Sequence, residues 1–282
     1  MKKNNAASIR ARLKNHADTN KQDFNLTLNY YGLERMLYRL SISDHQQNFL
    51  LKGALLFVLW YDQPHRPTRD ADLLAFGSDD VDAVVAIFKK ICQIDVEDGI
   101  QFDVQSVKGS TIRKEASYGG VRIDLKAKLD GANIRLQIDI GYGDVVTPEP
   151  ETINYPVLLA ELAAPSLRVY PKYTVVAEKF QAICVLGIAN SRMKDYFDLW
   201  ILLRDTSLDQ QLLRQAILAT LACRQTPAIN GIPTGLSDQF AIDAGKRIQW
   251  NAFLRKNKLD AFSFIEVVTE LRSAFQRLGV IG

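Results

Sequence analysis

The chain has 282 residues, and 47% of them are hydrophobic, which is enough for the core of one large domain or two modest ones. Its 35 Lys and Arg residues nearly balance its 32 Asp and Glu residues, so overall charge gives no argument for nucleic-acid binding. The three cysteines lie far apart without a disulfide or zinc-binding pattern, and no apolar run has the length of a signal region or a membrane span. We therefore expect a globular protein of the cytoplasm.

Two helical segments and a strand are predicted before the first chemical motif. Residues 1–22 are polar, and we expect a loosely held helix or arm there. From Asn25 the apolar residues recur at helical spacing, which predicts a helix with one face on the core. The apolar run at residues 49–51 then meets Gly53 and continues to Tyr61, which is the pattern of a strand that turns into a helix.

An Asp-x-Asp motif follows in an extended segment, after Pro64 and Pro67 have ended the preceding helix. Side chains i and i+2 of a strand share a face, so Asp70 and Asp72 project together. Two adjacent carboxylates repel unless a cation lies between them, and Mg²⁺ binds one or two carboxylates together with nucleotide phosphates. Gly53 lets the backbone approach a triphosphate closely. The motif predicts a metal-dependent nucleotide site, and the alternative is a strand end with two solvated aspartates.

A β-hairpin is predicted for the middle of the chain. Hydrophobic and polar residues alternate through residues 121–129 and 132–139, and the Asp-Gly pair between them is a strong signal for a two-residue turn. With that turn one face is wholly apolar, which fixes the register because a slip of one residue would expose it. The polar face then pairs Arg122 with Asp139, and Asp124 lies on the same face.

The second half of the chain is predicted to be almost entirely helical. A proline-rich connector at residues 147–156 marks the expected boundary between domains 1–147 and 148–282. A short strand is expected near Leu167. The helices are predicted at residues 175–188, from residue 191 to residue 203, and at 208–222, 237–257 and 259–278.

Charged side chains recur on two successive helices of this half. Lys179 lies in the first, and Asp195 and Asp198 lie three residues apart in the second, so the two aspartates share one side with Lys194. Such charges ordinarily form a solvated, ion-paired face, although nearby leucines would partly cover this one. A separate basic cluster is a candidate contact for an RNA backbone, with a solvated surface as the alternative: Lys246, Arg247, Arg255, Lys256 and Lys258.

The sequence resembles a known family at two neighbouring motifs. Residues 51–55, LKGAL, and residues 69–73, RDADL, are similar to the glycine turn and the Asp-x-Asp strand of polymerase-beta-type nucleotidyltransferases, and specifically of the AbiEii/AbiGii toxin family. Most relatives have a second glycine and a Ser or Thr after Lys-Gly. This chain has Ala54 and a leucine there, so phosphate contacts at this point would come from the backbone.

The resemblance implies an α/β fold, with an N-terminal mixed sheet flanked by helices and a C-terminal helical bundle that completes the active-site cleft. It implies two Mg²⁺ ions held by Asp70, Asp72 and a third carboxylate on a neighbouring strand, which also helps to draw the proton from the acceptor hydroxyl. We expect Asp139 in this third role, and Asp124 is the competitor. The nucleotide-binding residues that the resemblance implies are Lys52, Gly53, Ala54, Arg69, Lys179 and Asp195. Lys179 would contact phosphates, and Asp195 or Asp198 would hold Lys179 or position the substrate.

The activity that the resemblance implies is Mg²⁺-dependent transfer of a nucleoside monophosphate from a nucleoside triphosphate to RNA, with the 3′ end of tRNA as the expected acceptor. The protein would be the toxin of a bacterial toxin–antitoxin system, and a cognate antitoxin would be its partner. One rival hypothesis is transfer to a protein or a small molecule. The other is an inactive relative that serves as a binding module, which the missing hydroxyl at Ala54 suggests.

Overall fold

The chain divides into two compact units. A computed structural model describes residues 2–61, 66–113, 119–260 and 262–282, the side chains of residues 2–4 and 113 excepted. The first unit comprises Met1–Gly143 and Glu151–Val169, and the second comprises Asp144–Pro150 and Tyr170–Gly282. The domain boundary at residue 147 stays a prediction.

Two helices precede the sheet of the first unit, α1 (Lys2–Thr19) and α2 (Phe24–Ser41). The expectation that α1 is loosely held is wrong, because Ile9, Leu13 and Ala17 are at most 1% exposed. These residues are four apart and form one narrow apolar stripe, so the average polarity of the segment concealed it. The N-terminal segment therefore belongs to the core of the first unit.

A mixed sheet of seven strands, counted over the described residues, forms the centre of the first unit. The strands are β1 (Phe49–Lys52), β2 (Asp70–Ala75), β3 (Gln101–Arg113), β4 (Gly119–Leu129), β5 (Ala132–Tyr142), β6 (Glu151–Asn154) and β7 (Ser166–Val169). Their order is β3-β4-β5-β2-β1-β7-β6. Strand β2 is parallel to β5 and β1 is parallel to β7, whereas the other neighbours are antiparallel. The predicted N-terminal mixed sheet is confirmed.

The predicted strand before Gly53 is β1. A 3-10 turn, Gly53–Leu56, leads from it into the short helix α3 (Phe57–Trp60), as the apolar pattern predicted. Pro64, which was expected to end this helix, lies outside the described residues. The extended Asp-x-Asp segment is β2, and the helix α4 (Val81–Cys92) follows it.

Strands β4 and β5 form the predicted hairpin in the predicted register. Asp130 and Gly131 make its turn with φ angles of 43° and 78°, the left-handed conformation that a type I′ turn requires. Alternate residues of β4 from Val121 to Leu129 are buried, so the apolar face lies on the core. The paired residues are Leu129 with Ala132, Ala127 with Ile134, Leu125 with Leu136, Ile123 with Ile138, Asp124 with Gln137, and Arg122 with Asp139.

The connector that was predicted at residues 147–156 contains β6, so that part of the prediction is wrong. Strand β6 is the last strand in the sheet order, pairs with β7, and exposes three of its four residues. An exposed edge strand needs no apolar alternation, and the segment therefore carries no strand signal. Strand β7 coincides with the short strand predicted near Leu167.

The second unit is helical, which confirms the predicted C-terminal half. Its described α-helices are α5 (Lys172–Leu186), α6 (Met193–Leu202), α7 (Gln210–Cys223), α8 (Asp238–Ile242), α9 (Ala244–Asn257) and α10 (Phe264–Arg277). The single helix predicted over residues 237–257 is in fact two. Asp243 interrupts it, because its side chain accepts a hydrogen bond from the Lys246 N–H and caps α9.

Candidate active site

Charged residues form a row across four adjacent strands of the sheet. Asp72 on β2 lies between Lys52 on β1 and Asp139 on β5, and Asp139 in turn lies beside Arg122 on β4. Residues that pair on neighbouring strands project to the same face, so these four side chains share one face of the sheet. Asp70, two residues before Asp72, projects to that face as well.

The competing third carboxylate, Asp124, lies farther from the Asp-x-Asp strand. Asp70 pairs with Gln137 on β5, and Gln137 pairs with Asp124 on β4. One whole strand therefore separates Asp124 from Asp70, whereas Asp139 is a direct neighbour of Asp72. The sheet geometry supports Asp139 over Asp124, and the role of either residue stays a prediction.

Gly53 lies directly against Asp72. A Cβ atom added at Gly53 would be 2.7 Å from the carboxyl carbon of Asp72 and would collide with its Oδ2. The φ angle of +76° is in the left-handed region, which side chains other than glycine disfavour. Glycine is thus required by both space and conformation, and it brings a stretch of backbone into contact with a carboxylate of the row.

The other residues implied at the nucleotide site lie around this turn. Lys52, at the end of β1, is 8% exposed, so it is buried against the sheet. Ala54 is half-buried in the turn, and Arg69, just before β2, is exposed. The structure therefore places Lys52, Gly53 and Ala54 next to one another, with Arg69 at the start of the Asp-x-Asp strand.

Two tyrosine hydroxyls form hydrogen bonds with the turn after β1 and with the segment before β2. The hydroxyl of Tyr30 on α2 accepts a hydrogen bond of 3.0 Å from the Thr68 N–H, and the Thr68 hydroxyl donates to Asp70. The Tyr155 hydroxyl donates to the carbonyl of Leu55 at 3.2 Å. Burial raises the pKa of both tyrosines, so each hydroxyl keeps its proton. No motif in the sequence marks these supporting residues, because they come from distant segments.

The carboxylate of Asp139 is engaged by Arg122. Arg122 donates to Oδ1 at 2.8 Å through Nε and to Oδ2 at 2.7 Å through Nη2, so both oxygens accept from one guanidinium. This hydrogen bonding raises the pKa of Arg122. The hairpin register predicted that the two residues are neighbours, but it could not show that the contact is bidentate.

The oxygen donors of this face suit a divalent metal in their chemistry, since Mg²⁺ prefers carboxylates. Within the described part of the chain, however, no group of three or more His, Cys, Asp or Glu residues has the arrangement of a metal-binding cluster. Both oxygens of Asp139, the predicted third ligand, accept hydrogen bonds from Arg122. The carboxylates of Asp70 and Asp72 are donors of the kind that would hold a divalent metal ion, and the metal site with Asp139 as a third ligand stays a prediction.

Lys179 on α5 is held by the two predicted aspartates of α6. Its ammonium nitrogen lies 2.7 Å from Oδ1 of Asp195 and 2.9 Å from Oδ2 of Asp198. The side chains of Asp195 and Asp198 are 7% and 0% exposed, whereas Lys194 is exposed. The ordinary interpretation, a solvated ion-paired face, is therefore wrong for the aspartates, whereas Lys194 is exposed to solvent.

A second charged cluster in this unit has no counterpart in the sequence motifs. Arg224, just after α7, contacts Oδ1 of Asp144 at 2.7 Å and Oε1 of Glu178 at 3.4 Å, and it donates to Gln181 at 3.0 Å. Burial acts to lower the pKa of Arg224, but the charges of Glu178 and Asp144 outweigh it and the pKa is raised. Glu178 is adjacent to Lys179, so α5 contributes to both clusters.

One member of the predicted basic cluster cannot contact RNA. Lys246 is 8% exposed, and its ammonium donates to the carbonyl of Asn190 at 2.8 Å and lies 5.1 Å from the ring centre of Phe240. The prediction of an RNA contact is wrong for Lys246, because helix spacing alone cannot tell a lysine that turns inward from one in solvent.

A mixed sheet that presents paired carboxylates beside a tight glycine turn offers groups that suit a hard metal ion and phosphate oxygens. The chain belongs to the AbiEii family: the family model for "Nucleotidyl transferase AbiEii toxin, Type IV TA system" matches residues 35–276, which is more than half of the chain. The protein is thus a nucleotidyltransferase of a type IV toxin–antitoxin family, as the two motifs predicted. Membership of this family implies a nucleoside triphosphate as substrate and an antitoxin as partner.

Three solved structures resemble this one only distantly. A candidate nucleotidyltransferase from H. pylori has a TM-score of 0.47 and 14% identity, over 89% of this chain and 92% of that chain. JHP933 from Helicobacter pylori has a TM-score of 0.46 and 15% identity, over 87% and 88%. An antigenic nucleotidyltransferase-like protein from Paracoccidioides brasiliensis has a TM-score of 0.35 and 11% identity, over 89% and 94%. No curated protein matches the sequence. The assignment to the family therefore rests on the sequence match.

None of the helices that the structure describes combines the length and the apolar character needed to cross a bilayer.

Proposed function

We propose that this protein transfers a nucleoside monophosphate from a nucleoside triphosphate to the 3′ end of tRNA, in a Mg²⁺-dependent reaction. The observation that supports this most is the row of Lys52, Asp72 and Asp139 on one sheet face, beside the backbone of Gly53. A cation and a tight backbone turn suit phosphate oxygens, and neighbouring carboxylates suit a hard metal ion. A nucleotidyl-transfer site at this place would therefore have its phosphate-binding and its metal-binding groups within one small area.

The chemical step is an in-line displacement at the α-phosphorus. The oxygen of the acceptor hydroxyl forms a bond to that phosphorus while the bond to the oxygen bridging to the β-phosphate breaks, and pyrophosphate leaves. Asp70, Asp72 and Asp139 are the proposed metal ligands, and Asp139 helps to draw the proton from the acceptor hydroxyl. Bound Mg²⁺ supplies neutralisation of the charge that develops on the phosphate oxygens.

The nucleotide is proposed to bind at the turn after β1, through Lys52, Gly53, Ala54 and Arg69, with the backbone of Gly53 and Ala54 next to the phosphates. The resemblance to the family implies in addition a phosphate contact from Lys179, whose ammonium lies beside Asp195 and Asp198.

The proposal is tested with purified protein, labelled nucleoside triphosphates and Mg²⁺, incubated with total cellular RNA or, separately, with lysate protein. We expect label in RNA of tRNA size, and Asp72→Asn should lower it by roughly 100-fold or more, since it removes a charge that the transition state needs. Asp79→Asn is the matched control, because Asp79 is an exposed aspartate in the loop after β2. This variant should label RNA as the wild type does.

The rival hypotheses give different results in the same assay. Label in protein alone would overturn the tRNA acceptor and favour protein modification. If the wild-type protein labels neither RNA nor protein, transfer to a small molecule or the alternative of a binding module is favoured instead. Equal labelling by Asp72→Asn and the wild type would remove the Asp-x-Asp strand from the proposed chemistry.

A further inference from the structure

Arg122 on β4 is, like Lys52 on β1, a cation in the charged row on the sheet face. It lies on β4 next to Asp139 and projects to the same face as Asp70 and Asp72. Its side chain is 38% exposed and that of Asp139 is 21% exposed, so the pair borders solvent and is not part of the buried core. A bidentate contact at such a place is available for exchange with a ligand.

We propose that Arg122 is an additional substrate-binding residue, which leaves Asp139 and binds the triphosphate when the nucleotide arrives. This inference rests on the proposed nucleotidyl transfer and adds a residue to that site. The planar guanidinium matches phosphate oxygens as well as it matches a carboxylate, and both contacts can be bidentate. The exchange therefore replaces one pair of charged hydrogen bonds with another.

The exchange couples the binding of metal to the binding of nucleotide. In the structure, both oxygens of Asp139 accept from Arg122 at 2.7 and 2.8 Å. A dication on the same carboxylate would be repelled by the guanidinium a few ångströms away. A triphosphate offers Arg122 other acceptors and adds negative charge, so the metal and the nucleotide bind better together than either does alone.

Arg122 also lies close enough to Asp70 and Asp124 for their charges to act on it. The positive charge thus faces three carboxylates of the sheet, of which Asp139 alone has the bidentate contact. In the absence of a nucleotide, Arg122 offsets part of the repulsion among these acids. Its departure leaves a more negative site, which favours a divalent cation at that moment.

The test compares Arg122→Gln with the wild type by binding measurements that do not depend on turnover. Binding of Mn²⁺ alone is followed by electron paramagnetic resonance, and binding of ATP alone is followed by calorimetry in the presence of EDTA. We expect Arg122→Gln to bind Mn²⁺ about tenfold more tightly and ATP about tenfold more weakly, which is the size of one charge-assisted contact. Arg122→Lys keeps the charge without the fork and should be intermediate for ATP.

Lys126→Gln is the matched control, because Lys126 is an exposed cation on the same strand and the same polar face. It should change neither affinity. Thermal melting of each variant shows whether the fold is intact. Asp139→Asn lacks the charge but keeps an oxygen acceptor, so its contact with Arg122 should be weaker. This variant should therefore bind ATP more tightly in EDTA.

The outcomes separate this inference from the proposed function. If the wild type binds both Mn²⁺ and ATP and Arg122→Gln binds them with unchanged affinities, then Arg122 has a structural role only and the inference fails. If the wild type binds neither Mn²⁺ nor any of ATP, GTP, CTP and UTP at any practical concentration, the proposed function fails first.

Discussion

Gly53 and Asp72 constrain each other at the scale of single residues. The turn after β1 requires a positive φ, and the carboxylate of Asp72 fills the space where a side chain at residue 53 would lie. The glycine therefore has two functions, since it permits the turn and leaves room for an aspartate of the proposed metal site. These functions can be separated, because the chain has another glycine with positive φ at the other end of β2.

Gly53→Ala should lower both stability and activity, whereas Gly77→Ala should lower stability alone. Gly77 has a φ of +111°, but a Cβ there would meet no atom within 4 Å. Both substitutions introduce conformational strain, which destabilises the folded state by about 1 kcal/mol or more. Only the alanine at residue 53 also displaces the Asp72 carboxylate, and we expect a loss of RNA labelling of at least about tenfold. Thermal melting and the labelling assay measure the two effects.

Equal activity of the two alanine variants at equal stability would contradict this assignment. It would mean that Asp72 can move aside without consequence for the reaction, and that its contact with the turn has no catalytic importance.

At the scale of helices, α5 and α6 are joined by buried charges. Lys179 on α5 lies within 2.9 Å of both Asp195 and Asp198 on α6, and all three are largely removed from water. Removing one partner of a buried ion pair leaves the other charge uncompensated, which commonly costs about 3–5 kcal/mol. A simple substitution of Lys179 would therefore confuse a structural role with a role in phosphate binding.

A triple variant separates the two roles of Lys179. Lys179→Met alone should be strongly destabilised, whereas Lys179→Met combined with Asp195→Asn and Asp198→Asn should regain most of the lost stability, because no buried charge is left without its partner. If Lys179 contacts the phosphates, the triple variant should still be at least about 100-fold less active than the wild type. Urea denaturation and nucleotide-dependent RNA labelling provide the two measurements. Recovery of activity together with stability would show that the lysine is structural.

The elements that could be predicted are those whose structure is determined locally, by hydrophobic periodicity and by turn residues within the segment. Residues 121–139 combine strict alternation with an Asp-Gly turn, and so the hairpin and its register followed from the sequence. The same is true of β1, the turn at Gly53 and the Asp-x-Asp strand, because local residue types dictate each of them. The elements that could not be predicted depend on partners distant in sequence: β6 is a strand because β7 is beside it, and α1 is packed because three residues in its polar sequence meet the core.

The candidate site was predictable to a similar extent. Asp70 and Asp72 follow from strand periodicity, and the hairpin register placed Arg122 next to Asp139. Whether a carboxylate binds a metal or an arginine depends on side-chain geometry. The alternation of hydrophobic and polar residues gives no information about that geometry. For the same reason the support from Tyr30 and Tyr155 could not be foreseen, since the contacts join distant segments.

At the scale of the whole molecule, the match to the AbiEii family at residues 35–276 includes segments of both compact units. The helix α1 lies outside the matched region, although it belongs to the core of the first unit. The first unit also contains a buried ion pair next to the start of that region, formed by Glu34 and Arg35 on α2 at 2.8 Å. Its titration should influence the stability of the protein as a whole.

The raised pKa of Glu34 predicts that the free energy of unfolding falls as the pH rises. Burial raises the pKa of Glu34 from 4.5 to about 7, although Arg35 and a hydrogen bond of 2.6 Å from the Leu158 N–H partly oppose the shift. Because the pKa is raised in the folded state, the stabilisation is complete below about pH 4.5 and is lost as the pH rises to about 7. The loss from this group is at most about 3.5 kcal/mol, since each pKa unit corresponds to about 1.4 kcal/mol. In Glu34→Gln, which cannot ionise, this fall should be absent, whereas Glu97→Gln, a control at an exposed glutamate of the same unit, should retain it. Urea denaturation at several pH values from 4.5 to 7.5 measures the difference, and parallel stability curves for the wild type and Glu34→Gln would show that Glu34 does not titrate in this range.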